Sequence, residues 1–140
     1  MILDQLLLLA DSMTVGTSTA VVVSTSYVDT VAKGDDYCGL FLLSQVETSL
    51  VSGTALATCE FRVMHSDSTA ATSFVTLVSS GEVDDAEGGA VGYLSKVRIP
   101  PGAKRYIQGG VRCSVVPVGA TGTVSQWLCK DVDVNAQLIA

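Results

Sequence analysis

His65 is the one imidazole of the chain, and it heads the run His65-Ser66-Asp67, which holds the three side-chain types of a hydrolytic triad. Triad members converge from separate places in a chain, whereas consecutive residues of a strand or turn point apart. The run therefore reads as a strand end entering a turn, and no nucleophile–base pair is expected. The pairs Gly88-Gly89 and Gly109-Gly110 lack the following helix that a phosphate cradle needs. No Gly-x-Ser-x-Gly, P-loop or dinucleotide fingerprint occurs. These patterns assign no catalytic residue and no cofactor, so the chain is expected not to be an enzyme.

Carboxylates on a loop are the usual donors to calcium, and the chain has two acidic runs, Asp35-Asp36 and Asp84-Asp85-Ala86-Glu87. Neither has the spacing of an EF-hand loop, and both are expected to be solvated acidic turns. The four cysteines, Cys38, Cys59, Cys113 and Cys129, are far apart and form no Cys-x-x-Cys, so the short-range ligand pairs of a zinc site are missing. Each lies in an apolar stretch, as in Tyr37-Cys38-Gly39-Leu40-Phe41 and Trp127-Leu128-Cys129. Cysteine there behaves as a small hydrophobe, and buried free thiols are expected, with no metal site. The cations Lys96, Arg98, Lys104 and Arg105 are compact in sequence; they either pair with carboxylates of a neighbouring subunit or line a solvated strand edge. Tyr37, Tyr93, Tyr106 and Trp127 are of types that stack on sugars, but in a chain only 6% aromatic they are expected to serve the core or an interface.

The elements that must carry these residues are strands. Val and Thr abound, and Gly and Ser punctuate the chain at short intervals. Thr58 to His65 alternates, with Cys59, Phe61, Val63 and His65 on one side and Glu60, Arg62 and Met64 on the other. Tyr93 to Ile99 alternates likewise, Tyr93, Ser95, Val97 and Ile99 opposite Leu94, Lys96 and Arg98. Leu40 to Val46 is an apolar run, expected to be buried on both faces. Val21 to Val23, Ser26 to Val31, Phe74 to Val78, Tyr106 to Val116 and Thr123 to Val134 complete the set. Pro100-Pro101-Gly102 stops the strand before it. Residues 4–10 read as at most a turn or two of helix.

About eight strands at short spacing indicate an all-β, antiparallel β-sandwich, most often a jelly roll, with an immunoglobulin-like sandwich second. Trp127 follows three of the four cysteines, which breaks the immunoglobulin Cys-Trp-Cys order. We divide the chain into an N-terminal arm (1–20), the jelly roll (21–134) and a C-terminal tail (135–140).

At 140 residues, one domain is the natural expectation. Hydrophobic residues make up 48% and charged residues 16%, with a mean hydropathy of +0.45, which excludes a disordered chain. A net charge of -6 argues against a nucleic-acid surface. The apolar runs Leu6 to Ala10 and Leu40 to Leu43 fall far short of the roughly 20 residues of a membrane helix. Asp4 and the missing basic start argue against a signal peptide, so retention in a cytoplasm-like compartment is expected. High hydropathy without a membrane span implies apolar surface buried against another chain.

Several segments, in order, resemble one family. Ile2-Leu3-Asp4 with Ala10-Asp11-Ser12 is similar to its N-terminal arm, and Tyr27-Val28-Asp29 to its first strand. Phe61-Arg62-Val63-Met64-His65-Ser66-Asp67 resembles its central strand and Ser-Asp turn, and Leu77-Val78-Ser79-Ser80-Gly81 the strand after it. Ile99-Pro100-Pro101-Gly102-Ala103-Lys104-Arg105-Tyr106-Ile107 resembles its Pro-x-Gly-x-Lys-Arg-Tyr signature. Gly122-Thr123-Val124-Ser125-Gln126-Trp127-Leu128 resembles its final strand. The family is that of the capsid cement, or head-decoration, proteins of short-tailed double-stranded DNA bacteriophages, first described from a Bordetella phage. Gly109-Gly110 departs from its pattern and suggests a bulge or a close backbone approach.

The resemblance implies a homotrimer of jelly rolls on the outer surface of the virion, at three-fold and quasi-three-fold junctions of the major capsid protein. Such a protein is made in the bacterial cytoplasm and acts by binding alone, holding the head against internal DNA pressure. The expected interface residues are Leu3, Asp4, Lys104, Arg105 and Tyr106, together with Leu138 and Ile139 of the tail, which runs past the family's usual end and is apolar enough to lie against a neighbour. A jelly-roll module of a phage tail or fibre that binds a receptor or glycan is the alternative.

Overall fold

The computed structural model describes residues 8–15, 19–29, 40–117 and 122–130. They form two antiparallel sheets from ten strands: β1 (Leu8–Thr14), β2 (Val22–Val23), β3 (Val28–Asp29), β4 (Leu40–Thr48), β5 (Thr58–Ser66), β6 (Val75–Ser79), β7 (Val83–Asp84), β8 (Leu94–Arg98), β9 (Tyr106–Cys113) and β10 (Thr123–Lys130). One sheet runs β1-β10-β4-β8. The other runs β2-β9-β5-β6, with β3 also on β9 and β7 also on β5. Since β2 and β3 share a partner, and β6 and β7 share another, the ten pieces trace eight strand positions. The chain passes between the sheets in the order of a jelly roll, so the all-β sandwich expected from the sequence is the fold.

The alternation read from the sequence sets the two inner faces. Cys59, Phe61 and Val63 of β5 and Val97 of β8 are buried, as is Ile99 just past β8, while Leu94, Lys96 and Arg98 are exposed. On β4, Leu42, Ser44 and Val46 face the opposing sheet, and Phe41 and Leu43 are buried on the other face, where they cluster with Cys129. The double burial expected of this strand is thus present.

The core has two apolar centres. Leu9, Leu42, Ile99, Ile107 and Leu128 belong to one, and Val15, Val46, Leu50, Phe61, Val111 and Val124 to the other. A polar belt lies between them, because β4 carries Ser44 between Leu42 and Val46, β10 carries Gln126 between Val124 and Leu128, and β9 carries Gly109 between Ile107 and Val111. Gln126 is completely buried, and its Nε2 donates to Ser44 Oγ at 2.9 Å. Its carboxamide fills the space that a side chain at 109 would take: a Cβ on Gly109 would stand 2.1 Å from Gln126 Oε1. The β5–β9 register runs unbroken from Cys59↔Cys113 to Ser66↔Tyr106. Gly109-Gly110 is therefore a close approach and not a bulge.

Some boundaries move. Leu8–Thr14 is an edge strand on β10, not part of an arm or the end of a helical turn, because Leu9 and Ala10 are buried. A leucine run has no period of its own, so burial and pairing decide its conformation. Asp84–Glu87 is not an open acidic turn: Asp84 ends β7, and its carboxylate caps the single-turn helix α1 (Asp85–Gly88) by accepting from the Ala86 N–H. Asp85 turns inward and accepts from the Ser52 N–H at 2.8 Å and the Ser52 hydroxyl at 2.7 Å. The other acidic run, Asp35-Asp36, and the tail 135–140 lie outside the described residues.

Candidate functional site

β3 pairs with the start of β9, setting Val28 opposite Ile107 and Asp29 opposite Tyr106. Two consequences follow from that register. Tyr27, just before β3, meets the Tyr106 ring edge-on at 5.5 Å and lies 6.2 Å from Phe74. Arg105, just before Tyr106, grips the Asp29 carboxylate with two bonds, Nε to Oδ1 and Nη2 to Oδ2, each 2.7 Å. A planar guanidinium matches a carboxylate in this fork geometry. Its carbon also stands 5.1 Å from the Tyr106 ring centre.

The turn entering β9 is fixed by Pro101 and by Gly102, whose φ of 89° is a left-handed conformation that suits glycine. It buries Ala103 and directs the Lys104 N–H to His65 Nδ1 at 3.1 Å. An Nδ1 that accepts places the proton of the neutral ring on Nε2. The Lys104 ammonium stands 3.6 Å from Asp67. Burial first, and the Lys104 charge second, hold His65 below the usual imidazole range, with Asp67 opposing. The Asp29 partner pushes the Arg105 guanidinium further up. Serines knit the loop after β5: the Ser66 and Ser73 hydroxyls share a 2.6 Å bond, and the Ser68 N–H donates to Ser66 Oγ at 3.0 Å. The same loop carries Phe74 to Tyr27.

The result is an aromatic face whose exposed member is Tyr27, at 43%, with Tyr106 half-buried and Phe74 buried, held by the Arg105–Asp29 pair. Such a face can stack on a ring or pack against an apolar surface while its charges set orientation. His65 spends Nδ1 on a backbone N–H, and Ser66 spends its hydroxyl on Ser73. Among the described residues, no group of three or more His, Cys, Asp or Glu side chains is placed to hold a metal.

Of the residues expected at an interface, Lys104, Arg105 and Tyr106 come together here. Leu3, Asp4, Leu138 and Ile139 lie outside the described residues. The four cations do not form one set. Lys96 sits 5.0 Å over the Phe41 ring on the outward face of the first sheet, and Arg98 is opposite Phe41 across β4–β8. The carboxylates facing Lys104 and Arg105 come from the same chain. Nor do the four expected aromatics meet: Tyr93 stacks on Phe61 at 5.9 Å, Trp127 lies on β10, and Tyr37 is outside the described residues. Sequence reasoning missed Tyr27, Asp29 and Phe74 as members of the patch. Asp29 and Arg105 are 76 positions apart, and only the β3–β9 register brings them together. No protein-family model and no curated protein matches the chain.

Proposed function

We propose that this chain is a binding protein of a virion, a capsid cement that sits as a homotrimer on the outer coat at three-fold and quasi-three-fold junctions. The observation that carries the reading is the Tyr27–Tyr106 face, in ring contact with the buried Phe74 and held by the Arg105–Asp29 pair. Rigid aromatics lose little entropy on docking, and three linked copies multiply a modest contact into firm attachment. The order of segments resembling the cement family, the Lys104-Arg105-Tyr106 signature above all, supplies the partner: the major capsid protein of the same phage.

The test is rebinding to heads stripped of cement. Tyr27→Ala and Arg105→Ala weaken rebinding, and Lys96→Ala, on the outward face of the other sheet, leaves it unchanged. Equal rebinding by all three variants contradicts the assignment of the patch. The exposed Tyr27 ring favours one second reading, a glycan- or receptor-binding module of a tail or fibre, for which the same face would stack on a sugar. Specific signal on a glycan array, lost in Tyr27→Ala, would select it.

A further inference from the structure

We propose that Cys59 and Cys113 are an oxidisable thiol pair that closes to an intrachain disulfide across β5 and β9. The two residues are directly opposite in the ladder, and both point into the core, at 0% and 1% exposure. Their sulfurs are 4.0 Å apart, and both are free thiols. The Ser114 N–H donates to Thr58 O at 2.9 Å, so the neighbouring pair is the hydrogen-bonded one and the cysteines occupy a non-hydrogen-bonded position. Cα atoms there are about 4.5 Å apart, inside the range a disulfide spans. Bond formation therefore asks for side-chain rotation and little movement of the strands.

Packing alone would be served by any small apolar residue at either position, and the rest of this core cluster is chiefly valine, leucine and phenylalanine. The pair also lies towards the ends of its two strands. Cys113 is the last residue of β9, and Cys59 is the second of β5. The covering elements are the two-residue β7 and the single turn α1, whose Gly88 packs towards Cys59. Short elements of this kind open locally at low cost, which admits an oxidant as small as hydrogen peroxide.

Either sulfur can donate to the other, so either thiolate can attack first, Cys113 being the one at its strand's end. With Cys113 first, its thiolate attacks peroxide, an S–O bond forms as the O–O bond breaks, and the hydroxide released takes up a proton. Cys59 then loses its proton and attacks the Cys113 sulfenic acid, forming S–S and expelling the oxygen as water. In sum, two thiols and one hydrogen peroxide give one disulfide and two waters, with the two electrons passing from sulfur to peroxide.

The full chain, reduced and desalted, is treated with hydrogen peroxide at neutral pH. It is then denatured, alkylated and digested with Glu-C and chymotrypsin, which together separate the four cysteines. The expected product is lighter by about 2 Da, carries a linked Cys59–Cys113 peptide, and melts about 5 °C or more higher, because the cross-link closes a long loop. Cys129→Ala keeps the linkage, and Cys113→Ala abolishes it. Recovery of Cys59 and Cys113 both alkylated after peroxide, or linkage of either to another cysteine instead, overturns the proposal; this rests on the unsubstituted chain and needs no variant to fold.

Discussion

Adding one methyl group at Gly109 perturbs the belt that separates the two halves of the core. The new Cβ would lie 2.1 Å from Gln126 Oε1, 2.7 Å from its Cδ and 3.2 Å from its Nε2. A carboxamide on a flexible stem yields easily at a surface, but this one is fully buried between the sheets. Moving it breaks the 2.9 Å bond to Ser44 Oγ and strains the side chains around it. Overpacking costs about 1–3 kcal/mol, and a buried amide losing its partner about 1–3 kcal/mol more. Partial relaxation leaves Gly109→Ala about 2–4 kcal/mol less stable. Gly110→Ala is the internal control, because its Cβ would face Val21 Cγ1 at 3.1 Å and Met64 Cγ at 3.4 Å, soft neighbours outside the belt. We expect it to cost about 1 kcal/mol or less. Urea unfolding measures both, with an unchanged m-value showing that the native state is still compact. In Gly109→Ala/Gln126→Ala the methyl has nothing to strike, so the double variant is at least about 1 kcal/mol more stable than the two single effects summed. Additive effects, or equal losses at 109 and 110, refute the close-approach account.

Four further outcomes follow. His65 is held neutral by burial and the Lys104 charge, against Asp67; stability is full above the unfolded imidazole range near pH 6.5 and falls as pH drops through the lower folded value, so urea midpoints from pH 8 to 5 decline less in His65→Gln, and parallel profiles contradict this. Asp85→Ala strands the Ser52 N–H and hydroxyl that its carboxylate accepts and costs about 1–3 kcal/mol, read by thermal melting; a change within about 0.5 kcal/mol would refute it. Protein kept from oxidant melts at the same temperature with and without reductant, since Cys59 and Cys113 are free thiols; a marked fall on reduction would reveal a disulfide. Light scattering at micromolar concentration gives a trimer, and a mass near 14.5 kDa defeats the trimeric assignment.

Strands that alternate were legible residue by residue. Cys59, Phe61 and Val63, and then Ser95, Val97 and Ile99, sit on the buried faces that their period of two requires. Leu40 to Val46 disclosed burial on both faces because no polar residue interrupts Leu40 to Leu43. β1 was not legible: its leucines carry no period, and the strand is irregular, with two register shifts against β10 and Ser12 at φ 49°. The patch was half legible. Lys104-Arg105-Tyr106 stand together in sequence, and the cations were expected either to meet carboxylates of a neighbouring subunit or to line a solvated edge. Which carboxylates they meet depends on a two-residue strand, β3, too short to carry a pattern. The same holds for Gly109 and Gln126, whose fit crosses from one sheet to the other.

The central claim is that this chain clamps a capsid from outside, and the measurement that tests it most directly is a density map of the intact particle. The account predicts trimeric jelly-roll density on the outer surface at the three-fold and quasi-three-fold junctions, with the Tyr27–Arg105 patch of each copy buried against a coat subunit or a neighbouring copy. Particles that carry the chain only at the tail, or a bound chain whose Tyr27 and Arg105 both face open solvent, would contradict it.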